Sequence, residues 1–242
     1  MRMSKVNSPL PHDPAEAART LAEDARFGLG TLRRHGWRIV LLFFLVLLPL
    51  WGFGGLADEV HEGEILPFDG PLLTFAHAHA TPALDQFALL LAKLGYAWGV
   101  VPVDIALVLG LAFLRRKREG LFAGVALAGS LLLNLAAKHY FGRLRPDLWL
   151  SLTPETSFSF PSGHAMGSMT LAAVLVLLSW HSRWRWPVSV AAVVFAVLVG
   201  ASRVYLGVHF PSDILAGWSA AVAWTFGVYA VVFRGTLRPW AH

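Results

Sequence analysis

Three short groups of polar residues stand out in a largely apolar chain. "KHYFGRLRP", residues 138–146, places Lys138 seven residues before Arg145, and Pro146 stops any helix there. "FPSGHA", residues 160–165, sets Ser162 ahead of Gly163 and His164 at the head of an apolar run. Ser162 suits a helix N-cap, and the amides of Gly163 and His164 would then face outward with the positive end of the helix dipole behind them. A helix start of this kind holds anions, and glycine lets an anion come close to the backbone. His164 stands where it can give or take a proton. "SRVYLGVHFPSD", residues 202–213, carries Arg203, His209 and Asp213. Asp213 lies four residues after His209, in the first turn of a helix if Ser212 caps it. A carboxylate at that reach fixes the imidazole tautomer and leaves the other ring nitrogen free as a nucleophile. Three cations, two histidines and a helix N-terminus are what binding and attacking a phosphate require.

These groups need elements that bring them to one place. Of the 242 residues, 56% are hydrophobic and 14% charged, a composition that points to a membrane. Six apolar stretches, near 38–57, 96–114, 120–141, 163–180, 187–207 and 213–233, are each long enough to cross a hydrocarbon core of about 30 Å as helices. The first follows a flank holding Arg19, Arg26, Arg33, Arg34 and Arg38, so it reads as a span and not as a signal peptide. The net charge of +5 would suggest nucleic acid in a soluble protein, but here membrane topology accounts for it. Lys and Arg concentrate before the first span, in "RRKR" at 115–118, in "HSRWRW" at 181–186 and after the last span. If the spans alternate, all of these lie on one side, which the positive-inside rule makes cytoplasmic. Both termini are then inside, and Lys138, Arg143, Arg145 and Arg203 lie at the opposite, outer face. No cysteine is present, so neither a disulfide framework nor a thiolate site is available.

The expected fold class is therefore all-α: a polytopic membrane protein of six transmembrane helices with its active site at the outer face. Residues 1–36 form a cytoplasmic leader, in which "DPAEAARTLAEDARFGL" suits an amphipathic helix or a disordered tail, and residues 37–242 form the membrane domain. Between the first two spans, "TPALDQFALLLAKLG" has a helix-start signal and helical spacing, and reads as a short interfacial helix with Lys93 snorkelling. Arg143 is expected to anchor at the lipid headgroups. Asp104, in the second span, is expected to be satisfied by Asn134 or Ser130. His77 and His79 alternate without a third ligand and are placed in the interface, not at a metal. The tryptophans 149, 180, 184 and 186 fit interfacial belts.

The three groups resemble the three signature motifs of the type 2 phosphatidic acid phosphatase (PAP2) superfamily, in the family's order. The match covers Lys138, Arg145, Pro146, Pro161, Ser162, Gly163, His164, Ser202, Arg203, His209 and Asp213. The resemblance implies a bacterial inner-membrane enzyme that hydrolyses a phosphate or diphosphate headgroup. Undecaprenyl diphosphate, phosphatidylglycerol phosphate, phosphatidic acid and lipid A phosphates all fit. It implies His209 as nucleophile oriented by Asp213, His164 as general acid and base, and Lys138, Arg145, Ser162, Gly163 and Arg203 as holders of the phosphoryl oxygens. Neither metal nor other cofactor is required, because three cations and the helix-end amides supply the charge stabilisation. The partners are the lipid phosphate and the bilayer, without nucleic acid. Two other classes use the same features: a phosphotransferase through the same phosphohistidine, and a transporter or channel for an anionic solute.

Overall fold

The computed structural model describes Gly36 and residues 40–233. The leader helix suggested over 13–29 lies outside the described residues. Among those described there is no strand. A π-helical turn over Phe43–Leu47 precedes eight α-helices. These are α1 (Leu48–His61), α2 (Asp69–Ala78), α3 (Pro82–Leu94), α4 (Val100–Phe113), α5 (Lys117–Phe141), α6 (Gly163–Ser179), α7 (Arg185–Tyr205) and α8 (Pro211–Val232). Four segments are long and apolar enough to cross a membrane: Val40–His61, Lys117–Phe141, Arg185–Tyr205 and Pro211–Val232. Val100–Phe113 and Gly163–Ser179 are shorter apolar helices. All six coincide closely with the apolar stretches read from the sequence.

The helix expected over 81–95 is α3. Thr81 caps it, its hydroxyl accepting from Leu84 N at 3.3 Å. Ala88 and Ala92 of α3 pack against Leu206 and Val208 beyond α7. The helix α2 before it was not foreseen.

The centre of the bundle is α6, which packs against α5, α7 and α8. Its middle is lined by Ala172, Ala173 and Val174, all buried, so that neighbours approach closely. One face of α8 carries Ala216, Gly217 and Ala221, also buried. A Cβ on Gly217 would lie 2.9 Å from the Ser162 carbonyl oxygen, so only glycine lets α8 sit against the start of α6 without displacing it. Chain order then sets the functional end. The C-termini of α5 and α7 and the N-termini of α6 and α8 lie together, and each carries part of a motif.

Candidate active site

The first motif is shaped by the end of α5. Gly142, at φ +57°, stops the helix in the left-handed conformation, its N–H donating to Lys138 O at 3.0 Å. Lys138 is held in the last turn, where its Nζ donates to Phe158 O. The chain beyond is irregular, and Arg145 turns back to donate from Nε to Ser157 O at 2.7 Å and from Nη1 to Val208 O at 2.6 Å.

Ser162 caps α6 as expected, its backbone extended and its hydroxyl accepting from Ala165 N at 3.4 Å. By their position the Gly163 and His164 amides have no partner within the helix. Asn134 of α5 steadies the turn by donating to Pro161 O at 3.1 Å. Ser162 N donates to Asp213 O at 3.1 Å, which ties the second motif directly to the third.

The third motif departs from expectation in one respect. Ser212 is not the cap of α8: the helix starts at Pro211, and the cap position belongs to Phe210. Proline at the first helical position needs no N–H partner and favours this start. Asp213 occupies the third helical position and accepts from Phe210 N at 2.8 Å, which brings its carboxylate back towards His209. Oδ2 of Asp213 lies 3.3 Å from His209 Nδ1, and the Ser159 hydroxyl, 3.2 Å from the same nitrogen, donates to Asp213 Oδ2. On the other side of the ring, Arg145 Nη1 lies 3.1 Å from Nε2. A guanidinium only donates, so Nε2 carries the lone pair and Nδ1 the proton. His209 is 1% exposed. Burial pushes it down to about 4, with Arg145 and Arg203 acting in the same sense and Asp213 against it. It is therefore neutral at pH 7.

Sequence reasoning missed what surrounds Asp213. Arg143, expected at the headgroups, has a side chain only 9% exposed. It donates to Asp213 Oδ1 at 2.7 Å, to Ser212 Oγ at 2.8 Å and to Asp69 Oδ2 at 3.0 Å, and its guanidinium lies 4.1 Å from the centre of the Phe210 ring. Asp69, fully buried in the first turn of α2, accepts in addition from Ser212 N at 2.9 Å and Ser212 Oγ at 2.6 Å. The unforeseen helix thus serves to deliver this carboxylate. Buried charges are costly unless paired and hydrogen-bonded, and here Arg143 is paired with both carboxylates. Glu155 was also missed. Its carboxylate pairs with both Arg145 and Arg203. Burial alone would raise it, but the two guanidiniums hold it below the usual carboxylate range.

His164, His209, Lys138, Gly163 and Glu155 all line one cavity of about 990 Å³. The ring of Tyr96 lies 5.2 Å from that of His164. Away from these groups the wall is apolar, with Val100, Ile105 and Leu109 of α4 facing Leu127, Leu131 and Leu135 of α5. Asp104 is on this wall, and the expectation that Asn134 or Ser130 satisfies it fails. Ser130 pairs with Thr170 at 2.8 Å, Asn134 is engaged at Pro161, and among the described residues Asp104 Oδ1 has no hydrogen-bond partner. His77 stacks on Trp149 at 4.1 Å between ring centres, and His79 Nδ1 donates to Phe75 O at 2.9 Å.

This arrangement can be set beside known proteins. A family model described as the PAP2 superfamily matches residues 119–237. Phosphatidylglycerophosphatase B of Bacillus subtilis (strain 168) is 34% identical over 185 residues, which cover 74% of this chain and 86% of that protein. An undecaprenyl-diphosphatase of Sulfolobus acidocaldarius is 30% identical over 193 residues, covering 77% and 86%. Among solved structures, a transmembrane PAP2-type phosphatidylglycerolphosphate phosphatase from Bacillus subtilis aligns with a TM-score of 0.70 at 32% identity, over 78% of this chain and 96% of that one. The LpxE of Aquifex aeolicus aligns at 0.57 and 26% identity, over 68% and 96%. The fold is thus that of membrane phosphatases. The chain belongs to the PAP2 superfamily, and it is a phosphatase of that type.

Proposed function

We propose that the protein removes a phosphate or diphosphate headgroup from a membrane lipid through a phosphohistidine on His209. The observation that carries this reading is the polarised His209: Nδ1–H faces Asp213, and Nε2, with its lone pair, faces Arg145 at 3.1 Å. A phosphoryl oxygen that accepts from Arg145 draws that donor away from Nε2 and brings phosphorus within reach of it. Lys138, Arg203, Ser162 and the Gly163 amide take the remaining oxygens. Arg203 Nε is buried and has no partner among the described residues, a donor that such an oxygen satisfies. Nε2 forms the bond to phosphorus as the bond to the leaving oxygen breaks, and His164 as imidazolium protonates that oxygen. His164, now neutral, then takes a proton from water as water attacks the phosphohistidine, releasing inorganic phosphate.

The apolar arm of the cavity, between α4 and α5, suits an acyl or prenyl chain. We read all six apolar helices as spans, with α4 and α6 short because the site cuts into the outer half of the bundle, and α3 as a helix of the outer interface. The "RRKR" and "HSRWRW" segments lie at the helix ends opposite the site, which supports an active site on the outer side of a cytoplasmic membrane and a cytoplasmic leader over 1–36. Phosphatidylglycerol phosphate and undecaprenyl diphosphate are the substrate classes that the relatives' names favour.

The test is release of inorganic phosphate by the purified protein from these two lipids and from phosphatidic acid, in excess chelator. Release that persists with chelator supports the reading. Absence of release from folded protein, with phosphate moved to an added alcohol or an anion moved across sealed vesicles, overturns it.

The charge state of His209 sets the pH profile. Its reactive form is the base, which is lost only as pH falls through about 4. The acid limb of kcat/KM is therefore expected near pH 4 instead of 6.5, once the substrate's own ionisation is allowed for. An acid limb near 6.5 would mean that His209 is not held neutral by its burial.

A further inference from the structure

Glu155 belongs to none of the three motifs, yet it touches two of the three cations assigned to phosphate. Its Oε1 accepts from Arg203 Nη2, and its Oε2 pairs with Arg145 Nη2 at 2.6 Å. A planar anion thus spans two guanidiniums with one oxygen on each, which is how two oxygens of a phosphoryl group would sit. The carboxylate stands in for that group on the same donors. We propose that Glu155 is a tethered competitor of the substrate's phosphoryl group and sets the affinity of the site for anions.

Three features separate this role from that of a structural counter-ion. The Glu155 side chain is 27% exposed, whereas the carboxylates of Asp69 and Asp213 are fully buried and each accepts hydrogen bonds at both oxygens. The match is incomplete, since Arg203 Nε is left without a partner. A carboxylate has no third oxygen to offer it, and a phosphoryl group does. The segment is also built to yield locally. Ser151 Oγ is anchored on Leu206 O at 2.8 Å and Ser157 O on Arg145 Nε at 2.7 Å, with Glu155 on the irregular stretch between these points, where it lines the cavity. A phosphoryl group that enters displaces the carboxylate without unfolding a helix. When inorganic phosphate leaves, the carboxylate returns and opposes rebinding.

This inference rests on Arg145 and Arg203 being the phosphate holders, and the test keeps the two ideas apart. Binding of inorganic phosphate to the detergent-purified full chain is measured by calorimetry for wild type, Glu155→Gln and Glu155→Asp. If the carboxylate holds the site about nine-tenths of the time, Glu155→Gln should bind phosphate roughly tenfold more tightly. Glu155→Asp, too short to reach both guanidiniums, should fall between the two. Affinity that is unchanged or weaker in both variants would overturn the competitor and make Glu155 a support for the arginines. Should the glutamine variant fail to fold, the aspartate variant decides by the same criterion. Phosphate binding absent from wild type and variants alike would instead overturn the arginine site, and this inference with it.

Discussion

Replacement of His209 by alanine is expected to lower phosphate release by about 10⁵-fold or more, as nucleophile deletions do elsewhere. The reason is geometric. Asp213, Ser159 and Arg145 all converge on this ring and leave Nε2 as the polarised lone pair in the cavity. His164 is placed at a helix start to exchange protons and has no comparable carboxylate behind it among the contacts described. Label from a radioactive phosphate donor should be trapped on the wild-type protein in a form stable to alkali and lost in acid, as a phosphoramidate is. The alanine variant should carry none. Residual turnover above about 1% of wild type, well beyond what a missing nucleophile leaves behind, would place the attacking group elsewhere.

The second large effect is expected at Asp213. Its replacement by asparagine should cost about 10³ to 10⁴ in kcat, because an amide can turn its NH₂ towards Nδ1 and favour the tautomer with the proton on Nε2. The structure adds a consequence that a bare histidine–aspartate pair would lack. Asp213 Oδ1 is also a partner of the buried Arg143, so the same substitution leaves that guanidinium facing Asp69 alone. Breaking a buried ion pair from one side costs on the order of 3–5 kcal/mol, so the variant should also melt earlier. Arg143→Met makes the complementary cut: kcat should fall about ten- to a hundredfold, as for the loss of a supporting hydrogen-bond partner. Combined with Asp69→Asn, its effect should be far from additive. A normal kcat and pH profile in Arg143→Met, with only the melting temperature lowered, would reduce Arg143 to a structural tie.

The motif residues were legible in the sequence because each lies within a few residues of a helix end, where spacing alone fixes its direction. Lys138 and Arg145 flank a helix stop, and Ser162 precedes a run of helix formers. The network behind Asp213 was not legible, because Arg143 and Asp69 are 74 residues apart and no local pattern joins them. The one available signal was that Arg143 is a cation on a side otherwise poor in them. Pro211 could have corrected the start of α8, since proline at the first helical position outweighs a serine one residue later. Helix α2 escaped because it mixes glycine, proline, threonine and histidine and has little amphipathic contrast. Its place is fixed by Asp69 reaching Ser212, which is a tertiary reason. For Asp104 the apolar context suggested a neighbouring partner, but both candidates point their hydrogen bonds to other groups.

The wall of the cavity has one further consequence. Helix α4 supplies much of its apolar side yet carries none of the groups proposed to hold phosphate, all of which come from the ends of α5 to α8 and the turns between them. In the proposed reading the wall that meets the hydrocarbon tail is shared by α4 and α5, and of these two helices only α5 also carries a phosphate-holding group, Lys138. Under that reading, divergence along α4 would re-shape the tail side of the cavity while the reacting end stays the same.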